Sequence, residues 1–175
     1  MMGWLVAVLL AISAFFPRDA LLHRSSVPIQ PSTGSIAVIP NTPSNRSLAA
    51  ILDQYLTAFG DGNLKQAYRL FADIAPHQSL AQFEAKGDPQ DGWTIRLTRV
   101  YVFARHGVAD AYGVMQVRPA GKAASRRLIF AFPMIREPAG WRMVYNIGDF
   151  GPSVETLFQK VNAEMNAALP HLPKI

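Results

Sequence analysis

LAAILDQYLTAFGDGNLKQAYRLF, residues Leu48 to Phe71, decides the fold. Leu48, Ile51, Leu52, Tyr55, Leu56 and Phe59 fall at i, i+3, i+4, i+7, i+8 and i+11, a single apolar stripe at helical period. That spacing predicts one amphipathic helix, with Ser44 or Ser47 as its N-cap and Gly60 as a left-handed stop. Asn63 then caps a second helix whose Leu64, Ala67, Tyr68 and Phe71 share a face. Ser79 and Gln82 have capping-box spacing for a short third helix carrying Leu80 and Phe83, closed by Gly87-Asp88-Pro89.

Downstream the period changes from helical to alternating. From Trp93, Ile95 and Leu97 alternate with Arg96 and Thr98, and the phase slips through Arg99-Val100-Tyr101, which predicts a bulge near Thr98 or Arg99. Arg105-His106-Gly107 turns the chain into a second strand, Val108 to Arg118. Pro119 to Ser125 reads as a loop, Arg126 to Arg136 as a third strand, and Trp141 to Asn146 as a fourth. The third strand is apolar on both faces, so both faces need a cover. The helix pair supplies one. A C-terminal helix with Val154, Leu157, Phe158, Val161, Met165 and Ala168 in a stripe, or a homodimer partner, supplies the other. Pro133 cannot donate a ladder bond and implies a strand edge or bulge. Helices first and an antiparallel sheet afterwards make an α+β roll.

The chain has 175 residues, half of them hydrophobic, enough for one domain with a core. It has no cysteine, which excludes a disulfide scaffold, a thiolate nucleophile and a lipid-modified Cys. The net charge of +5 is unevenly spread. From Trp93 to Tyr145, nine basic residues oppose two acidic ones, giving +7, whereas Arg46 to Gly92 carries four basic and six acidic residues, giving −2. Arg96, Arg118, Arg126, Arg127 and Arg142 make the sheet half a basic surface suited to anionic headgroups or an acidic partner, or simply a solvated face. No nucleic-acid-binding motif accompanies them.

Trp4 to Phe16 is uninterrupted apolar sequence, about 20 Å long as a helix and short against a hydrocarbon core of about 30 Å. Residues 1–24 are therefore expected to be a signal peptide or an uncleaved signal-anchor, placing the protein in the cell envelope, periplasmic or extracytoplasmic. Arg18 and Arg24 would hold the C-terminal side of an uncleaved anchor in the cytoplasm, against export. Residues 25–45 read as a Pro/Ser-rich linker, in which Ser35 to Ile39 can add a short strand. The folded domain spans 46–150, and 151–175 form a C-terminal helix and tail.

The phrase Tyr55-Leu-Thr-Ala-Phe59-Gly-Asp61-Gly-Asn63-Leu-Lys-Gln-Ala67-Tyr68, with Gly140-Trp141-Arg142-Met143 at the sheet end, resembles the NTF2-like superfamily of cone-shaped, cystatin-like rolls. It is most similar to the small envelope-associated branch of unknown function. The piece Trp141 to Ser153 with the helix after it is distantly similar to periplasmic phospholipid-carrier proteins. The resemblance implies a cone whose pocket would be lined by Tyr55, Phe59, Phe71, Trp93, Phe130, Phe132, Trp141 and Tyr145, with Asp110 and His77 as polar candidates. These aromatics can equally fill a core.

Three functions follow. One is a non-catalytic binding or scaffolding domain of the envelope that docks a membrane or a membrane-associated protein. The second is a carrier of a lipid or other apolar ligand. The third is an isomerase- or cyclase-type enzyme, which needs a carboxylate or imidazole in an apolar cup. Buried Asp110 facing Tyr55 would favour the enzyme. His23, His77, His106 and His171 show no metal-ligand spacing, no cofactor motif is present, and the residues favour the non-catalytic reading.

Overall fold

The computed structural model describes residues 36–86, 94–118, 121 and 125–172. The expected leader, most of the expected linker, the expected Gly87-Asp88-Pro89 stop and Trp93 lie outside the described residues. Strand β1, Ala37–Ile39, precedes helix α1, Pro43–Gly60. Short helices α2, Leu64–Tyr68, and α3, Leu80–Lys86, follow. Strands β2, Thr94–Arg105, β3, Val108–Arg118, β4, Arg126–Glu137, and β5, Gly140–Met143, then lead to helix α4, Pro152–Ala168. None of the described helices is long and apolar enough to cross a membrane.

The N-terminus of α1 differs from expectation. Thr42, not Ser44 or Ser47, is the N-cap; its Oγ1 accepts from the Asn45 amide at 3.1 Å, and Pro43 occupies the first helical position. The helix and β1 thus reach back across the boundary drawn at residue 46. At the other end Gly60 is still helical, and Gly62 takes the left-handed conformation with φ 70°. Asn63 caps α2 as expected, accepting from the Gln66 amide at 3.2 Å. The second helix stops at Tyr68 rather than Phe71, because Phe71 bridges to Met143 and Ala72 donates to the Met143 carbonyl at 2.9 Å. Ser79 and Gln82 exchange their capping-box bonds at 3.2 and 2.9 Å.

The five strands form one sheet in the order β1-β2-β3-β4-β5, with β1 parallel to β2 and the remaining pairs antiparallel. The expected bulge falls between Leu97 and Arg99, where Thr98 Oγ1 donates to the Val114 carbonyl at 2.9 Å. Strand β5 ends at Met143, short of Asn146: Val144 still donates to the Pro133 carbonyl at 2.9 Å, but Pro133 has no N–H to return the bond. N–H and C=O of a strand residue point the same way, so the missing Pro133 donor faces the side where β5 gives out.

Helix α1 lays Leu48, Leu52, Tyr55, Leu56 and Phe59 on the inner face of the sheet, against Leu97, Val100, Ala109, Ala111, Met115, Phe132 and Met143. A Cβ at Gly113 would stand 3.3 Å from Leu97 of β2, a tight approach, and 3.5 Å from Leu52 of α1, an ordinary contact. Helix α4 packs on the outer face of β2 and β3, where Phe158 and Val161 meet Val108 and Val144. Its cover of β4 is partial, contrary to the expectation from that strand's two apolar faces: Ile135 joins the α4 cluster, while Ile129 remains 38 % exposed.

Candidate functional site

Five of the aromatic residues expected to line a cone, Tyr55, Phe59, Phe71, Phe130 and Phe132, meet on the inner face of the sheet. Tyr55 touches Phe71 edge-on at 5.6 Å between centroids, Phe59 at 6.1 Å and Phe132 at 6.3 Å, and Phe130 extends the chain of rings from Phe132 at 6.2 Å. Tyr55, Phe59, Phe71, Phe132 and Trp141 are buried, and the Trp141 indole donates to Ser44 at 3.3 Å. The rings meet in edge-on and tilted contacts, the geometry of packed aromatic side chains. Burial pushes the Tyr55 hydroxyl far above its ordinary pKa.

At the rim, Tyr145 links this interior to His77: its ring lies 6.2 Å from Phe71 and stacks on His77 at 5.6 Å. His77 Nε2 pairs with Asp149, and the Asn146 side chain donates to Asp149 at 2.8 Å. Asp73 is buried and accepts the amides of Tyr145 and Asn146, both at 2.6 Å. Burial pushes its carboxyl up and neighbouring Asp149 adds to this, while the two amide bonds pull it down. One ligand atom each from Asp73, His77 and Asp149 fall within 4.8 Å of one another, a donor set that could hold a cation. These donors are already engaged by protein groups, and the arrangement works as a clasp tying the loop after α2 to the turn before α4. Sequence spacing gave no sign of it, since His77 and Asp149 are far apart in the chain.

Asp110 is buried, but it does not face Tyr55. Its neighbours Ala109 and Ala111 belong to the inner core, so Asp110 projects from the outer face, where Asn162 of α4 donates to it at 3.4 Å. Burial raises its pKa to about 6, with the Asn162 bond opposing. The carboxylate-and-tyrosine pairing that isomerase chemistry would need is not made by these two residues.

Register arranges the outer face in rows: Thr94 beside Arg118; Arg96, Gln116 and Arg127; Arg99, Val114 and Ile129; Tyr101, Tyr112 and Ala131; Phe103, Asp110 and Pro133; Arg105, Val108 and Ile135. Helix α4 covers the last two rows through Asn162 on Asp110, Glu164 on Arg105 and its apolar stripe. The opposite end is open, and Arg96, Gln116, Arg118 and Arg127 are exposed there. Arg99 was missed as part of this group because the bulge restores it to the face of Arg96; its guanidinium donates to the Tyr101 hydroxyl at 3.2 Å. Arg142 does not belong with it. It lies opposite Ile135, donating to the Arg69 carbonyl at 2.6 Å with Glu137 at 3.7 Å. The Arg126 side chain and Trp93 lie outside the described residues.

Helices laid across the inner face of a mostly antiparallel sheet, with four of its five strands following them in sequence, define the architecture. The fold is an α+β roll. Solved structures similar to this roll include an NTF2-like protein with a cystatin-like fold from Novosphingobium aromaticivorans, at 16% identity and TM-score 0.45, covering 65% of this chain and 88% of that one. A candidate ketosteroid isomerase from Shewanella frigidimarina shares 13% identity at TM-score 0.42, covering 61% of this chain and 94% of that one. Bdellovibrio bacteriovorus Bd1075 shares 6% identity at TM-score 0.44; the match covers 57% of this chain and spans 38% of that protein's length. No family profile matches the chain, and no curated protein does.

Proposed function

We propose that this NTF2-like roll is a non-catalytic docking domain of the cell envelope that binds anionic phospholipid surfaces through the open end of its outer sheet face. The observation that carries the reading is one of placement. Arg96, Arg99, Arg118 and Arg127 share that end, while the carboxylates of the described strands, Asp110 and Glu137, sit at the other. The large apolar side chains left exposed among the described residues, Ile39 and Ile129, lie on the same face, beside Tyr101 and Val114. Arginines interspersed with exposed isoleucines suit a headgroup boundary, where cations meet phosphates and short apolar groups enter the acyl edge. A packed aromatic interior favours this over a carrier, and the apolar leader and linker agree with an envelope location.

Each basic residue near an anionic leaflet contributes about 1 kcal/mol. Removing two of them, Arg99→Gln with Arg127→Gln, should cost about 2 kcal/mol, roughly thirtyfold in partitioning. The test is co-sedimentation of the full chain with phosphatidylglycerol-containing and pure phosphatidylcholine vesicles, since the leader contributes alike to both. The gain on anionic vesicles should shrink in the double variant and with added salt. Equal partitioning of the wild type to both vesicle types would overturn the reading.

A further inference from the structure

The open end of the outer face is not flat. Thr94, Arg96, Gln116, Arg118 and Ser125 enclose a half-open cavity of about 250 Å³. Arg96 lies opposite Gln116, and Arg118 opposite Thr94, so the two guanidinium stems rise from the same face at diagonal positions of neighbouring strands. Diagonal neighbours stand about 7 Å apart, within mutual reach of side chains as long as arginine. Among the described residues no carboxylate pairs with either of them. Two cations this close repel, and an anion seated between them relieves the repulsion.

We propose that this cavity seats a phosphomonoester, and that its source, resting on the membrane-docking reading above, is a lipid headgroup ending in phosphate. The donors match that group. Two guanidinium forks meet a charge of about −2 and offer bidentate bonds to its terminal oxygens. The hydroxyls of Thr94 and Ser125 and the amide of Gln116 supply further donors around them. A carboxylate, with two oxygens and one charge, would leave much of this set unused. The volume is below the roughly 300–1,000 Å³ of sites that enclose drug-sized molecules, which suits a headgroup and leaves acyl chains outside. Exposed Ile129, one row along from Arg127, borders the cavity's end of the face, where the acyl boundary would begin.

The experiment compares full-chain binding to phosphatidylcholine vesicles doped with phosphatidic acid or with phosphatidylglycerol, matched in zeta potential. The wild type should prefer phosphatidic acid by about tenfold, the worth of one good charge-assisted bidentate contact. Arg96→Gln and Arg118→Gln should each abolish the preference, and Arg127→Gln should weaken binding to both vesicles equally. Soluble glycerol 3-phosphate should displace the chain from phosphatidic acid vesicles down to the phosphatidylglycerol level. These side chains are exposed, so thermal unfolding should be unchanged in all three variants. If both anionic vesicles beat phosphatidylcholine without discrimination and glycerol 3-phosphate does not bind, the phosphate seat is overturned and docking stands. If neither beats it, docking itself is overturned. Glycerol 3-phosphate binding that requires Arg96 and Arg118 but brings no preference among vesicles would overturn the lipid source.

Discussion

Asp110 and Tyr55 stand on opposite sides of the same sheet: Tyr55 is packed among the inner aromatic rings, and Asp110 lies beneath helix α4, bonded to Asn162. Two polar groups that a cone-shaped enzyme would bring together are separated by a layer of backbone. The consequence for Asp110 is energetic. It is buried with one long hydrogen bond, so its charged form costs stability.

That cost has a defined pH window. The folded pKa of about 6 lies above the ordinary 3.8, so the folded state holds the proton more tightly. Its contribution is fully present below about pH 4, is lost as pH rises through about 6, and stays lost above. At about 1.4 kcal/mol per pK unit, the penalty at neutral pH is about 3 kcal/mol. Asp110→Asn should therefore stabilise the protein by up to that amount at pH 7.5 and by little at pH about 4, measured by urea unfolding at both. An Asn effect of the same size at the two pH values would show that ionisation of Asp110 is not the cause.

Asp73 carries the opposite kind of burden. Its carboxylate accepts the amides of Tyr145 and Asn146 and so fixes the chain where β5 gives way to the turn before α4. Asp73→Ala leaves those amides without their acceptor and should cost about 1–3 kcal/mol. Faster hydrogen exchange should follow at Tyr145 and Asn146, with β2 and β3 unaffected. Unchanged protection at both amides would mean that the clasp has no hold on this turn.

Helix α1 supplies the inner layer, and Phe59 is 6 % exposed within it. Phe59→Ala should destabilise by about 3–5 kcal/mol in denaturant unfolding. Gly113→Val should also destabilise, by about 1–3 kcal/mol, because a Cβ is already tight against Leu97 and the two added methyls must fit beside Leu97, Leu52 and Phe132. A change under about 1 kcal/mol for Phe59→Ala would remove it from the core.

Much of this architecture could be read in the chain because local pattern and tertiary role agree. The i, i+3, i+4 stripe of α1, the Asn63 and Ser79 caps, the bulge at Leu97/Arg99 and the span Val108–Arg118 each follow from spacing alone. Helix ends depart from the sequence pattern where a competing residue wins: Thr42 with Pro43 displaces the serines as N-cap, and a bridge to Met143 draws Phe71 out of α2. The site was less accessible. Alternation shows that Asp110 and Tyr112 share a face, but not which face α1 or α4 occupies. The clasp joins residues distant in sequence, and the arginine rows depend on inter-strand register, which no single strand encodes. Composition alone groups Arg142 with the others, whereas register puts it opposite Ile135 at the far end.

The most direct measurement is backbone amide shift mapping of the full chain titrated with phosphatidylglycerol-containing bicelles. The predicted result is perturbation of Thr94 to Tyr101, Val114 to Arg118, Arg127 to Ile129, and Ile39, with the Tyr55, Phe59 and Phe71 amides unmoved. Perturbation centred on Tyr55, Phe71 and Tyr145, with the arginine rows silent, would contradict it and place the binding surface at the cone instead.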